Sequence, residues 1–297
     1  MAARHSCDPS DARDWAACLA ARADPSAAKI LQMLTLRTQA LVPLMCCDPD
    51  QKATLARELT VQSLPVGAAQ VLAEPAGLPG RPPRPERVDH AALKPRSMAT
   101  VEGRAALIHA LTHIELNAID LALDLCWRFA GMPDDFYRQW ARVAQEEALH
   151  FQLLRDHLHT LGYTYGDFPA HNGLWEMAQK TQDDILARIA LVPRTLEARG
   201  LDASPPIRAK LAGAGDHAAA QILDLILRDE IGHVAVGNHW YRHLCQQRGL
   251  DPLRTYAELA ETYKAPRLKG PFNLQARRAA GFEEDELMAL SQPPPSR

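Results

Sequence analysis

Between Phe136 and Leu161 the sequence sets down a stripe at spacings of 4, 3, 4, 3, 4, 4 and 3: Phe136, Trp140, Val143, Glu147, His150, Leu154, Leu158, Leu161. That rhythm is the period of an α-helix face, and no strand can present it. Six of the eight members are apolar or aromatic; the other two, Glu147 and His150, stand where a buried side chain is required. A second stripe repeats the device: Ile222, Ile226, Glu230, His233, Gly237, Trp240. A third, Ile108, Leu111, Glu115, Ile119, Ala122, carries one glutamate. A fourth is weaker: Gln182, Leu186, Ile189, Pro193, then Leu196 and Glu197 at its edge.

These stripes lie in long periodic segments separated by breakers. The first spans about 102–130 and stops at Gly131-Met132-Pro133; the second spans about 134–161 and stops at Gly162. The loop YTYGDFPAHNG follows, then a third segment over about 174–199 ending at Gly200. The fourth runs from Asp216, an N-cap residue by type, to Gly249, a C′ residue by type. Nothing alternates with period two. The expectation is an all-α protein built on a four-helix bundle over residues 101–250. Residues 1–74, with DARDWAACLAARA and QKATLARELTVQ, read as an N-terminal helical extension. Residues 75–100 read as an extended connector, because six prolines in it fix φ and remove backbone donors. Residues 251–297 read as a C-terminal strap and tail, with a disordered SQPPPSR end.

In chain order the polar intruders are Glu115, Glu147-x-x-His150, Glu197 and Glu230-x-x-His233. Glu115 and Glu147 are 32 residues apart, Glu197 and Glu230 are 33 apart. The bundle therefore reads as two helix pairs, each giving a glutamate and then Glu-x-x-His. Residues at i and i+3 share a helix face. One such pair is weak evidence, since chance and salt bridging explain most of them; two, each in a core stripe and each preceded by a glutamate, are strong. Four buried carboxylates repel, and each uncompensated charge costs several kcal/mol. Two divalent cations would balance the four charges and take the imidazoles as nitrogen ligands, the ligand set of di-iron and di-manganese bundle sites. Carboxylate and imidazole donors without thiolate suit two iron ions, with manganese or a mixed pair as alternatives. Asp229 precedes Glu230 and Glu146 precedes Glu147, each rotated ~100° around its helix. Asp229 is expected to orient His150, and Glu146 to do the same for His233, because a ligating imidazole usually donates its other N–H to a carboxylate.

His109 and His113 read as surface or packing residues, His157 and His159 as exposed, and His171 as a loop residue within range of a substrate. The stretch YKAPRLKGPFNLQARR (263–278) holds Lys264, Arg267, Lys269, Arg277 and Arg278 and no acid. It reads as a solvated strap, or as contacts for an anionic substrate, phosphate or RNA. A net charge of −3 provides no global field for nucleic acid or anionic membrane. No apolar run approaches the ~18–20 residues of a membrane span, and the N-terminus lacks a signal-peptide core. The six cysteines are scattered without CxxC spacing, which reads as reduced thiols in a cytoplasmic protein.

Glu115, EALH (147–150), PRTLEARGLD (193–202) and DEIGH (229–233) together resemble an uncharacterised bacterial family of ferritin-like proteins. IHALTHIELNAIDLALD (108–124), YGDFPAHNGLW (165–175) and GPFNLQARRAAGF (270–282) extend the resemblance over about 80–282. It implies a ferritin-like bundle and supports Glu197 as a ligand. More distantly, over the bundle alone, the chain is similar to the bacterial tRNA hydroxylase that acts on methylthio-isopentenyladenosine. By analogy Glu147 and Glu230 would bridge two irons, with Glu115 and Glu197 terminal. The expected activity is an O₂-dependent di-iron oxygenase or oxidase acting on an unknown, anionic substrate. It would draw on an external electron donor, since no flavin or nicotinamide fingerprint is present, with tRNA among the partners to test. The alternatives are ferritin-like iron oxidation and handling, and a non-catalytic helical interaction module.

Overall fold

Several helix starts that the sequence marks with a short polar residue are capped by it. In the computed structural model, which describes residues 34–94 and 96–291, α1 (Leu36–Met45) begins with a reciprocal Thr35–Thr38 capping box. α2 (Pro49–Arg57) begins with Asp48 accepting from the Gln51 N–H at 2.8 Å and with Pro49 in the first turn. Then come a single 3₁₀ turn, His90–Ala92, and the long helices α3 (Val101–Arg128) and α4 (Asp134–Thr160). α5 (Gly173–Lys180), α6 (Ile185–Leu191), a π-helical turn (Val192–Glu197) and α7 (Ala198–Gly213) follow. α8 (His217–Arg248) runs from the Asp216 cap to Gly249, whose φ of 64° is the left-handed conformation that glycine adopts without strain. α9 (Pro252–Thr262), α10 (Leu274–Ala279) and α11 (Glu284–Ser291) end the described chain. The protein is all-α, a helical bundle. Among the described residues the one β-type pairing is an isolated parallel bridge between Arg87 and Ala170.

α3, α4 and α8 match the sequence reading closely; the third segment does not. In place of one helix over 174–199 there are four helical pieces. Asp184 starts α6 afresh by accepting from the Leu186 N–H at 2.9 Å. Pro193 has no N–H to give Ile189, so the helix widens into the π turn. Gly200 does not stop it, because Gly200 is not among the glycines of positive φ and the helix runs on through Pro205 and Pro206. DARDWAACLAARA lies outside the described residues, as does nearly all of SQPPPSR.

The chain divides into two compact units, each taking part of α3 and of α4. The described part of the first is residues 34–84 and 118–152. Arg37, fully buried, donates to the C-terminal carbonyls of α3, Cys126 at 3.1 Å and Trp127 at 2.5 Å, and to Gly67 and Ala68. These are carbonyls that the helix leaves without a partner of its own. Lys52 and Asp120, side chains 1% and 3% exposed, form an ion pair completed by the Gly80 carbonyl at 2.9 Å from Nζ. Cys46 and Cys126 are buried free thiols.

The described part of the second is residues 85–94, 96–117 and 153–291. One cluster joins Ala105 and Ile108 of α3, Leu154 and Leu158 of α4, Leu211 of α7, and Ala219, Leu223 and Ile226 of α8 around Phe168. Four helices thus close on a common core. His157, expected at the surface, is half-buried with Nε2 3.0 Å from the Asp216 cap of α8. A second cluster, Ala198, Leu201, Val234, Ala276, Ala280, Phe282 and Leu287, fastens α10 and α11 to α7 and α8. By length and composition α3 alone of the described helices could cross a membrane, but 72% of its apolar window is buried, as in a core helix.

Candidate metal site

Most of each stripe is buried, with Leu111, Leu161 and Ile222 half-buried. On α4, Phe136, Trp140, Val143, Leu154 and Leu158 are each less than 5% exposed, and so are Glu147 and His150 between them. On α8, Ile226, Glu230, His233 and Trp240 are buried, and on α3 so are Ile108, Glu115, Ile119 and Ala122. Glu115, Glu147, His150 and Glu230 each offer one ligand atom, and these atoms all lie within 4.8 Å of one another. His150 Nδ1 lies 3.2 Å from Glu147 Oε2, and His233 Nδ1 lies 3.6 Å from Glu230 Oε1.

The donor set fits a cation. Ligands on opposite sides of one ion, with bonds of about 2.0–2.2 Å, stand about 4.2 Å apart, so atoms no more than 4.8 Å apart need only small shifts to close on it. Three carboxylates and one imidazole, without thiolate, select a hard or borderline divalent ion. The buried group could therefore hold a metal ion, and its residues are among those expected from spacing alone.

Glu197 and His233 are not among the four. His233 is 1% exposed; Glu197 is half-buried at the end of the π turn. That turn is packed against α8: a Cβ placed on Gly237 would lie only 3.1 Å from Pro193 Cβ. Farther on, Leu211 of α7 shares a cluster with Ala219 and Leu223 of α8, so the two stretches run antiparallel. One turn forward from Pro193 and one turn back from Gly237 brings Glu197 level with His233.

The other expected site residues lie outside the group of four. Asp229 is half-buried, with Oδ1 2.8 Å from Arg228 Nε, and Glu146 is half-buried on α4. Lys264, Arg267 and Lys269 are exposed, and Arg278 is exposed and paired with Glu284 at 2.6 Å. Arg277 departs from the expectation of a substrate contact. It is fully buried, grips Asp202 through Nε at 3.1 Å and Nη2 at 2.6 Å, and lies against the Phe272 and Phe282 rings. A guanidinium so enclosed serves the packing of α10 on α7.

Sequence reasoning missed a histidine–tyrosine cluster. His109 and His113 of α3 are 0% and 5% exposed, and the loop after α4 is fastened to them. The Gly166 N–H donates to His109 Nε2 at 2.9 Å, and His113 Nδ1 lies 2.7 Å from the Tyr165 hydroxyl. His113 Nε2 lies 3.1 Å from the His171 carbonyl, and Tyr165 stacks on both imidazoles. His171 thus enters through its backbone. Burial pushes the His109 pKa down to about 4, with Asp167 opposing. The available signal was the i, i+4 spacing of the two histidines beside an aromatic-rich loop.

Over 199 residues the chain is 55% identical to a Haemophilus influenzae protein named "Uncharacterized protein", covering 65% of this chain and 69% of the relative. No solved structure matches. Residues 45–288 match the family described as "Protein of unknown function (DUF455)", and the chain belongs to that family.

Proposed function

We propose that this protein is an O₂-dependent oxidoreductase with two metal ions, iron in the first instance, held by Glu115, Glu147, His150, Glu197, Glu230 and His233. The observation that carries the reading is the buried convergence of three carboxylates and an imidazole within 4.8 Å. The level placement of Glu197 and His233, with His233 beside Glu230, supports a second ion next to the first. When bound, a reduced di-iron pair supplies electrons to O₂ and so the oxidising power for hydroxylation or a related oxidation.

The chain's residues set the conditions for that chemistry. The carboxylates neutralise the ions, and the apolar stripes of α3, α4 and α8 keep bulk water away from them. In this reading Asp229 holds the His150 ring in its ligating orientation and Glu146 does so for His233. For a hydroxylation, substrate, O₂, two electrons and two protons give hydroxylated substrate and water, so an external two-electron donor takes part. The exposed Lys264, Arg267 and Lys269 suit an anionic substrate, an RNA among them.

The test is O₂ uptake by the iron-loaded protein with a chemical reductant, compared with Glu147→Ala and Asp229→Ala. The reading expects uptake in the wild type, none in Glu147→Ala, and a roughly 10–100-fold weaker hold on metal in Asp229→Ala. Metal-loaded wild type that never consumes O₂ above the free-iron rate would remove the oxidoreductase reading. Failure to bind tRNA at low salt would remove the RNA version of it.

A further inference from the structure

The π turn that ends at Glu197 is held from one side by the C-terminal region. Arg194, in the middle of the turn, is only 4% exposed, yet it carries a full charge. Its guanidinium carbon lies 4.6 Å from the centre of the Tyr241 ring of α8, 4.8 Å from Tyr256 of α9 and 5.1 Å from Phe282. Its Nη2 pairs with Glu286 of α11. Three aromatic faces and one carboxylate thus enclose one cation, an arrangement that holds a guanidinium by geometry as well as charge.

The next residue is tied to the same place. Thr195 Oγ1 donates to the Ala190 carbonyl at 2.7 Å and lies 3.0 Å from the Tyr256 hydroxyl. Thr195 therefore supplies a hydrogen bond within a stretch where Pro193 has withdrawn one. Pro193 itself is wedged against Gly237. Every side chain from Val192 to Thr195 is buried, and the turn then delivers Glu197. A helix widened in this way is a place where register can slip by a residue, and a slip of one residue rotates the rest of the helix by ~100°.

We propose that Arg194 is a positioning residue for Glu197, and that α9 and α11 act through it as a brace that completes the second metal subsite. This rests on the two-metal reading above. The brace gives the C-terminal region a role in the site without any of its side chains touching metal. It also separates the two subsites: Glu115, Glu147, His150 and Glu230 do not depend on the π turn, whereas Glu197 does.

The experiment is anaerobic loading of the full-length chain with Mn(II) or Fe(II), desalting and elemental analysis, beside affinity titrations. Wild type, Arg194→Met, Glu286→Gln, Glu197→Ala and the Arg194→Met/Glu197→Ala double variant are compared, with circular dichroism confirming helix content. Arg194→Met keeps a long buried side chain without charge; Glu286→Gln is the milder change should Arg194→Met not fold. The expectation is two ions in wild type. In the two brace variants and in Glu197→Ala the second ion is lost or held at least about tenfold more weakly, with the first unchanged. The double variant should be no worse than Glu197→Ala alone, since residues acting in series are not additive. Folded Arg194→Met or Glu286→Gln chains that bind two ions with wild-type affinity overturn the brace. A wild-type chain that binds none removes the two-metal reading, and the brace with it.

Discussion

His109 shows how one buried imidazole couples this fold to pH. An unperturbed histidine titrates near 6.5, and burial lowers His109 to about 4. As pH falls below 6.5 the unfolded chain takes up the proton first. The stability contributed by keeping His109 neutral is therefore whole above pH 6.5, is lost progressively down to about 4, and levels off below that. The slope is ~1.4 kcal/mol per pH unit and the total about 3 kcal/mol. Replacing His109 by Gln, which still offers an acceptor to the Gly166 N–H, should flatten urea-unfolding stability over that window. An unchanged slope would contradict the assignment. The Lys52–Asp120 pair makes a different demand at the same scale. Lys52→Met should cost about 3–5 kcal/mol, because it removes the ion-pair partner of a buried carboxylate. Adding Asp120→Leu should return most of that loss in the same measurement.

Two glycines of α8 give opposite predictions at the scale of the element. Gly232 has no atom within 4 Å of where a Cβ would stand, so Gly232→Ala should stabilise the helix by about 0.5–1 kcal/mol. Gly237 faces the buried ring of Pro193 in the π turn, and an added Cβ would stand 3.1 Å from Pro193 Cβ, so the turn would have to shift to admit it. Gly237→Ala should destabilise by about 1–3 kcal/mol, read from denaturant midpoints. The reverse ranking would mean that the turn yields easily. These elements also differ in how legible they are in the sequence. α3, α4 and α8 carry strong periodic stripes and end at glycines or prolines, so their limits come from period and breakers. The third segment was not legible, because its outcome depended on whether a proline would end a helix or widen it. Packing against Gly237 decided that, and sequence alone does not show which residue lies opposite. Likewise Glu115, Glu147, His150 and Glu230 stand out as charges in apolar stripes. The burial of Arg277 against Asp202 and the capture of Tyr165 by His113 depend on contacts made 75 and 52 residues apart.

At the scale of the whole molecule, three acids and an imidazole packed together in a bundle core carry a desolvation and repulsion cost. Without a cation this group opposes folding; a bound cation would offset the repulsion among its carboxylates. Binding to the folded chain only should then raise stability by about 2.7 kcal/mol at a metal concentration of about 100 times Kd, visible as a higher unfolding midpoint that a chelator reverses. The central claim is tested most directly by the metal content per chain of wild-type protein loaded anaerobically with Fe(II), measured by elemental mass spectrometry beside Glu147→Ala and Glu230→Ala. The account predicts about two ions in the wild type and a sharp loss in both variants, each of which removes a carboxylate from the buried group. Folded wild-type protein that retains no metal, or variants that retain as much as the wild type, would contradict it.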